Sequence, residues 1–131
     1  MNDFNTATPH LSRTERLNRV LRSLQAESHD VVAAALMSED GLIIASALAQ
    51  HIEEVRVGGM SATLLSLGMR AASELSLGGV QQVLIRGESG YAVMSTAASG
   101  TLLLVVTTHQ AKLGLVFLDM NRAISEIGKI I

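Results

Sequence analysis

Two short stretches of the chain carry residue types that could serve hydrolytic chemistry. Ser89 lies between glycines in "RGESGY", and Glu53-Glu54 places two carboxylates side by side. A nucleophilic serine is typically exposed by a G-x-S-x-G turn, which is absent here, and no His or Asp is placed to activate Ser89. Adjacent carboxylates on a helix diverge, and they suit the positive end of its macrodipole. These stretches therefore predict a tight hairpin turn and a helix start, with no catalytic residues.

The residue types that bind metals and phosphates also form no recognisable pattern. The chain has no cysteine, and its four histidines fall in the N-terminal tail or at the ends of predicted elements: His10, His29, His51 and His109. A zinc site needs three or four converging ligands. Gly58-Gly59 does not fit G-x-G-x-x-G, and no G-x-x-x-x-G-K-[ST] occurs. We expect no metal, no cofactor and no enzymatic activity, so the function must depend on surfaces that bind other molecules.

Length and composition place these surfaces on one small domain. The 131 residues suffice for a single core, and with only 2% aromatic residues that core must be built from aliphatic side chains and Met. A formal charge of -2 gives no global reason to expect nucleic acid or an anionic membrane as a partner. No apolar run is long enough to span a bilayer. We predict a cytoplasmic protein with a disordered tail at residues 1–11 and one domain at 12–131.

The first predicted element is an amphipathic helix. "SRTE", Ser12 to Glu15, is a capping box. A stripe of apolar residues follows at helical spacing: Leu17, Val20, Leu21 and Leu24. The other sides carry Arg13, Arg16, Arg19 and Arg22. These arginines form either a solvated face, with Glu15 and Arg19 paired at i,i+4, or a docking surface for an acidic partner.

The remaining pattern predicts five strands and two further helices. Asp40-Gly41 separates two apolar runs and is a strong hairpin signal. "VQQVLIR" and "YAVMST" form a second hairpin through residues 87–90, and "TLLLVVTT" is a buried strand. The last segment has a single apolar helical stripe from Leu113 to Ile131. The order α-β-β-α-β-β-β-α predicts an α/β (α+β) sandwich, in which a mainly antiparallel five-stranded sheet lies between helices.

The helix between the two hairpins has more apolar surface than one sheet can cover. One side of its wheel carries Met60, Leu64, Leu67, Ala71 and Leu75. The nearly opposite side carries Gly58, Ala62, Leu65, Met69 and Ala72. An uncovered stripe would be a liability on a monomer, so we predict that this helix pairs with itself in a homodimer. We further predict that Gly78-Gly79 ends the helix and that Gly68→Glu disrupts the dimer.

From about Leu17 to Ile130 the sequence resembles the Roadblock/LC7 family, in particular the branch related to the gliding-motility polarity protein. The resemblance lies in "GLIIAS", "GGMSATLLSLGMRAASEL", "VLIRGESGYAVM" and "AKLGLVFLDMNRAISEI". It implies a five-stranded antiparallel sheet with the first and last helices on one face and the middle helix on the other. It also implies a homodimer formed by the middle helix and the third strand. The implied dimer surface is Gly58, Ala62, Leu65, Met69 and Ala72, with Val80 to Arg86, including Gln82 and Leu84.

Relatives in the bacterial branch bind Ras-like small GTPases, and some accelerate GTP hydrolysis without an arginine finger. The resemblance therefore implies a non-enzymatic regulator of such a GTPase, with no nucleic-acid partner and no membrane insertion. The residues expected to face the GTPase form a polar strip on the middle helix: Thr63, Ser66, Arg70, Ser73 and Glu74. A structural adaptor without effect on hydrolysis, a small-molecule sensor and an uncharacterised hydrolase remain as alternatives.

Overall fold

The computed structural model describes residues 11–131, so that residues 1–10 of the predicted tail lie outside the described part of the chain. The helices are α1 (Arg13–Glu27), α2 (Glu54–Glu74) and α3 (Leu113–Ile130). The strands are β1 (Val31–Ser38), β2 (Ile43–Ala47), β3 (Gln82–Arg86), β4 (Gly90–Ala97) and β5 (Thr101–Thr108), with a short 3-10 turn at Ala98–Gly100. This order confirms the predicted α-β-β-α-β-β-β-α arrangement.

The five strands form one antiparallel sheet in the order β2-β1-β5-β4-β3, with a core on each face. The first core joins α1 and α3 to one face of the sheet, and its fully buried side chains include Leu21, Leu36 and Ile127. The second core lies under α2 and includes Met37 and Leu65. The predicted three layers are therefore confirmed, with α1 and α3 on one face and α2 on the other.

Helix α1 begins at the predicted capping box. The Ser12 hydroxyl accepts a hydrogen bond from the Glu15 backbone N–H at 3.1 Å, and the Glu15 carboxylate accepts one from the Ser12 N–H at 2.9 Å. Both bonds satisfy donors that the start of a helix leaves without partners. The Ser12 backbone N–H and the Ser12 hydroxyl beside the Glu15 carboxylate favour its charged form, and together with nearby Arg19 they lower the pKa of Glu15 below its ordinary value.

The β1–β2 hairpin packs directly on the backbone of α2. Gly41 has a φ of +90°, which suits glycine, and its N–H donates to the Ser38 carbonyl across the turn at 2.9 Å. A Cβ at Gly58 would lie 2.0 Å from the Gly41 carbonyl oxygen, closer than any real contact. Two glycines on different elements are therefore required for the hairpin and the helix to meet at this distance.

Helix α2 ends earlier than Gly78-Gly79, so this part of the prediction is wrong. The Leu77 N–H donates to the Ala72 carbonyl at 2.8 Å, and the Ser76 N–H donates to the Ser73 carbonyl at 3.1 Å. These two bonds form a Schellman motif, in which the residue after the C-cap adopts a left-handed conformation. Ser76 occupies that position with a φ of 57°. Glycine is favoured there but not required, and for that reason the glycine pair marked the wrong position.

Candidate interaction surface on helix α2 and strand β3

One side of α2 covers the sheet, and it is the side that carries its smallest residues. Gly58, Ser61, Leu65 and Ala72 are buried, and Leu65 belongs to the core beneath the helix. The close contact between Gly58 and Gly41 fixes this orientation, because only a face without a side chain at that point lets the hairpin approach. The rest of the helix surface then points away from its own sheet.

Three residues assigned to the dimer surface are therefore corrected. Gly58, Leu65 and Ala72 are buried within the protomer and have no surface to offer a second copy. Ala62 is half-buried, with its Cβ close to the Gly41 turn, and Met69 is exposed on the flank of α2 away from the apolar stripe described next. The buried face lies between the two apolar sides of the helix, around Ser61 and Ala72, and Leu64 of the opposite side also packs against the core beneath the helix.

The opposite apolar side of α2 remains largely exposed. Leu67 is 54% exposed, and its neighbours along the stripe are exposed or half-buried: Met60, Leu64, Ala71 and Leu75. This set is called the α2 stripe below. It lies on the flank of the helix nearest β3, because Gly68, Ala71 and Leu75 line a shallow groove together with Leu77 and residues 79–83. The stripe and the third strand thus form one continuous surface.

Strand β3 lies at the edge of the sheet and presents open backbone groups. Its register with β4, together with the bond from the Gly87 N–H to the Gly90 carbonyl, makes Val83 and Ile85 the residues bonded to β4. The N–H and C=O groups of Gln82, Leu84 and Arg86 alternate with these and point outward. The Leu84 side chain is 47% exposed, Gln82 is exposed and Val80 is half-buried. The edge assigned to the interface from sequence is thus accessible.

The opposite edge of the sheet is covered. Helix α1 packs against β2, and the Asn18 side-chain oxygen accepts a hydrogen bond from the Ser46 backbone N–H at 3.2 Å. The Ser46 hydroxyl also bonds to the Glu54 carboxylate at the start of α2. Both α1 and α2 therefore contact β2. The two edges differ in kind, since β2 is closed by side chains and β3 is open to a further strand.

The predicted polar strip forms the outermost surface of α2. Thr63, Ser66, Arg70, Ser73 and Glu74 are all exposed. Among the described residues the ion pairs join Asp119 to Arg122 and Glu126 to Lys129, and Arg70 forms none with Glu74, four residues further along the helix. The Thr63 hydroxyl donates to the Gly59 carbonyl within the helix at 2.9 Å. The strip adjoins the α2 stripe, and its role in binding a GTPase stays a prediction.

The residues first considered for chemistry do not converge in the structure. Ser89 lies in the loop of the β3–β4 hairpin, as the turn prediction implies, and Glu53 is the N-cap of α2. Within residues 11–131 there is no group of three or more potential metal ligands. In the same part of the chain, no helix is long and apolar enough to cross a membrane.

The architecture defines a class of small α+β domains in which one antiparallel sheet is enclosed by two helices on one face and one on the other. Residues 17–107 match the Roadblock/LC7 domain, and the chain belongs to the Roadblock/LC7 family. An uncharacterized protein of Methanocaldococcus jannaschii is 34% identical over 111 residues, covering 85% of this chain and 92% of that protein.

Solved structures share this fold. A Roadblock/LC7 domain from Streptomyces avermitilis superposes with a TM-score of 0.78 at 25% identity, covering 84% of this chain and 92% of that one. The gliding protein MglB from Thermus thermophilus superposes with a TM-score of 0.79 at 22% identity, covering 92% of each chain. The resemblance to the gliding-motility branch is therefore confirmed at the level of fold.

Proposed function

We propose that this protein is a non-enzymatic homodimer that binds a Ras-like small GTPase and changes its rate of GTP hydrolysis. The observation that carries the proposal is the continuity of the α2 stripe with the open edge of β3. The α2 stripe is apolar, and the adjacent edge of β3 has unpaired backbone N–H and C=O groups. A second copy can bury the stripe with its own apolar side chains and can form hydrogen bonds with these backbone groups.

A two-fold axis perpendicular to the sheet would join the two surfaces. Antiparallel pairing of β3 with its copy, centred on Leu84, places Gln82 of one copy opposite Arg86 of the other, and all of these residues have outward backbone groups. The two sheets then form one sheet of ten strands. The α2 stripes meet on one face of this sheet, so that exposed leucine and methionine side chains are removed from water.

The proposed GTPase site lies beside this seam. When the α2 stripes are covered, the polar strip remains as the accessible part of both middle helices, in two copies. Ras-like GTPases are the partners that the family resemblance implies. Phosphoryl transfer depends on the positioning of groups around the phosphates, and a partner can accelerate it by ordering the GTPase's own loops. Such a regulator needs a rigid surface and no catalytic residue of its own.

The proposal is tested by single-turnover GTP hydrolysis, measured with and without this protein. The GTPase is the Ras-like one whose gene lies nearest to the gene of this protein. We expect a change in the rate constant that saturates with the concentration of this protein, and no hydrolysis by this protein alone. Binding that leaves the rate unchanged would identify an adaptor instead. If calorimetry detects no binding to any small GTPase encoded in the genome, the proposal is wrong.

The Arg70→Glu variant tests the position of the site on the polar strip. Reversal of this exposed charge should weaken binding of the GTPase at least about tenfold, since like-charged contacts at an interface are disfavoured. Arg22→Glu is the matched control, because it makes the same charge change on the exposed side of α1 across the sheet. Equal affinities for Arg70→Glu and the wild type would remove Arg70 from the site.

A further inference from the structure

The charges of the protein are divided between its two faces. The layer formed by residues 12–29 and 112–131, called the basic face below, comprises α1, α3 and the residues that flank them. Its basic residues outnumber its acidic ones by seven to four: Arg13, Arg16, Arg19, Arg22, Lys112, Arg122 and Lys129 against Glu15, Glu27, Asp119 and Glu126. Residues 30–111 instead carry three arginines and seven carboxylates. A net charge of -2 therefore conceals a positive face and a negative remainder.

The positive charge of this face is exposed, and five of its seven basic side chains form no ion pair among the described residues. All seven basic side chains are exposed, and within the described residues only Arg122 and Lys129 form ion pairs. Arg16, Arg19 and Arg22 recur at every third residue of α1 and therefore spread over its outer side. Such an array attracts phosphates more strongly than the total charge of the protein would suggest.

Two exposed leucines lie on the same face. Leu115 is 58% exposed and Leu118 is 54% exposed, and both lie in the N-terminal half of α3. They are three residues apart, which places them next to each other on the outer surface of the helix. The layer thus carries the arginines of α1 and two exposed leucines of α3, and anionic membrane surfaces attract basic side chains and accept apolar ones.

We propose that the basic face docks on an anionic membrane surface, with its arginines among the lipid phosphates and Leu115 and Leu118 in the interface. An acidic peptide fits less well, because the shallow depression between α1 and α3 is lined by three carboxylates against one arginine: Glu27, Asp119 and Glu126 against Arg122. A flat layer of headgroups contacts the outer arginines and leucines without entering this depression.

The inference rests on the proposed function, because the proposed dimer strengthens the expected binding to the membrane. The perpendicular two-fold axis keeps both basic faces on the same side of the joined sheet, so that the dimer presents twice the charge and four exposed leucines to one plane. The polar strips lie on the opposite side and point away from the membrane. A docked dimer could therefore still bind its GTPase.

Flotation with lipid vesicles tests the inference directly. The protein should float with vesicles of phosphatidylcholine and phosphatidylglycerol at about 0.05 M salt, and binding should fall steeply at about 0.5 M, where the Debye length is only several ångströms. It should not float with phosphatidylcholine alone. Absence of flotation with the anionic vesicles at low salt would overturn the inference and leave the face to an acidic protein.

Two matched double variants assign the binding to this face. Arg16→Gln with Arg19→Gln should lower the partition coefficient at least about tenfold, since each basic residue near an anionic surface contributes a factor of about five. Arg56→Gln with Arg70→Gln makes the same change in net charge on α2 and should have little effect. If both double variants lose vesicle binding equally, binding depends only on the total charge of the protein, and the inference is overturned.

The leucines and the dimer are tested separately. Leu115→Ser with Leu118→Ser should weaken vesicle binding, while the far-ultraviolet circular dichroism spectrum remains unchanged. Unaltered vesicle binding would contradict the insertion of these leucines into the membrane interface. Light scattering on the same samples reports the oligomeric state. A protein that is monomeric yet floats would contradict the proposed dimer alone, and a dimer that does not float would contradict the membrane inference alone.

Discussion

At the scale of single residues, the structure distinguishes two glycines that the sequence places side by side. Gly58 faces the Gly41 turn, whereas a Cβ at Gly59 would meet no atom within 4 Å. Both are on the first turns of α2, where the sequence "GG" suggests only flexibility or a phosphate loop. Their different surroundings come from a contact between Gly58 and a turn far from it along the chain, which no local pattern reveals.

The Gly58→Ala variant should lower the stability of the protein and Gly59→Ala should raise it. Alanine gains about 1 kcal/mol of helix propensity at either position. At Gly58 the new methyl group would collide with a backbone carbonyl, and overpacking of this kind costs about 1–3 kcal/mol or more. Urea unfolding should give a lower midpoint for Gly58→Ala and a slightly higher one for Gly59→Ala. A raised midpoint for both would contradict the close contact with Gly41.

The capping box should make the stability of α1 depend on pH. The pKa of Glu15 is lowered in the folded protein by the Ser12 bonds and by Arg19, so the unfolded state binds a proton at a higher pH than the folded state. The stabilisation is thus fully present above the ordinary glutamate pKa and is lost as pH falls through the lowered folded value. The difference in Tm between the wild type and Glu15→Ala should therefore shrink as pH falls through this range. A difference in Tm that stays constant over this pH range would show that the Glu15 carboxylate charge does not stabilise α1.

At the scale of elements, the sequence predicts type and order well and orientation poorly. The capping box, the Asp40-Gly41 hairpin and the periodicity of α3 all act locally, so they can be read from neighbouring residues. Both sides of α2 are apolar or small, and propensity cannot decide which side meets the sheet. That choice follows from packing on the β1–β2 hairpin, and for this reason Gly58, Leu65 and Ala72 belong to the buried face and not to the predicted dimer surface. The free stripe of Leu67 could be recognised only with the sheet in place.

Leu67→Lys should separate the dimer without unfolding the protomer. The side chain is exposed in the protomer, and the loss of two leucines from the interface, one from each copy, removes roughly 3 kcal/mol, about a hundredfold in Kd. Met69→Lys is the matched control on the other flank of α2 and should leave the dimer intact. Gly68→Glu is less suitable for this test, because a Cβ at Gly68 would lie 3.1 Å from Val83 and disturb the protomer itself. Light scattering that shows dimers for Leu67→Lys would contradict the α2 stripe as an interface.

At the scale of the whole molecule, two layers of helices give the two faces of the sheet different surfaces. The α2 layer presents the apolar stripe and the polar strip, and the layer of α1 and α3 presents arginines and two leucines. Each face has a partner of its own in the proposals above. The division follows from the position of α2 between the two hairpins, which leaves it alone on its side of the sheet.

Hydrogen exchange should report the joining of two sheets. The amides of Leu84 and Arg86 point outward from β3, whereas those of Val83 and Ile85 point towards β4. In the Leu67→Lys monomer the first pair should exchange rapidly and the second pair slowly. In the wild type above the Kd of the dimer, all four should be protected. Rapid exchange of Leu84 and Arg86 in a protein that is dimeric by light scattering would place the dimer interface elsewhere.

The bond from Asn18 to Ser46 has a consequence for the number of copies that can assemble. A sheet with two open edges could add copies without limit and grow into a fibre. Here each copy has one reactive edge, because α1 closes the other at β2. In the proposed dimer, both outer edges are β2 strands, and α1 partly covers each of them. Asn18 thus occupies one outward backbone donor of β2, whereas the outward groups of Gln82, Leu84 and Arg86 on β3 stay open.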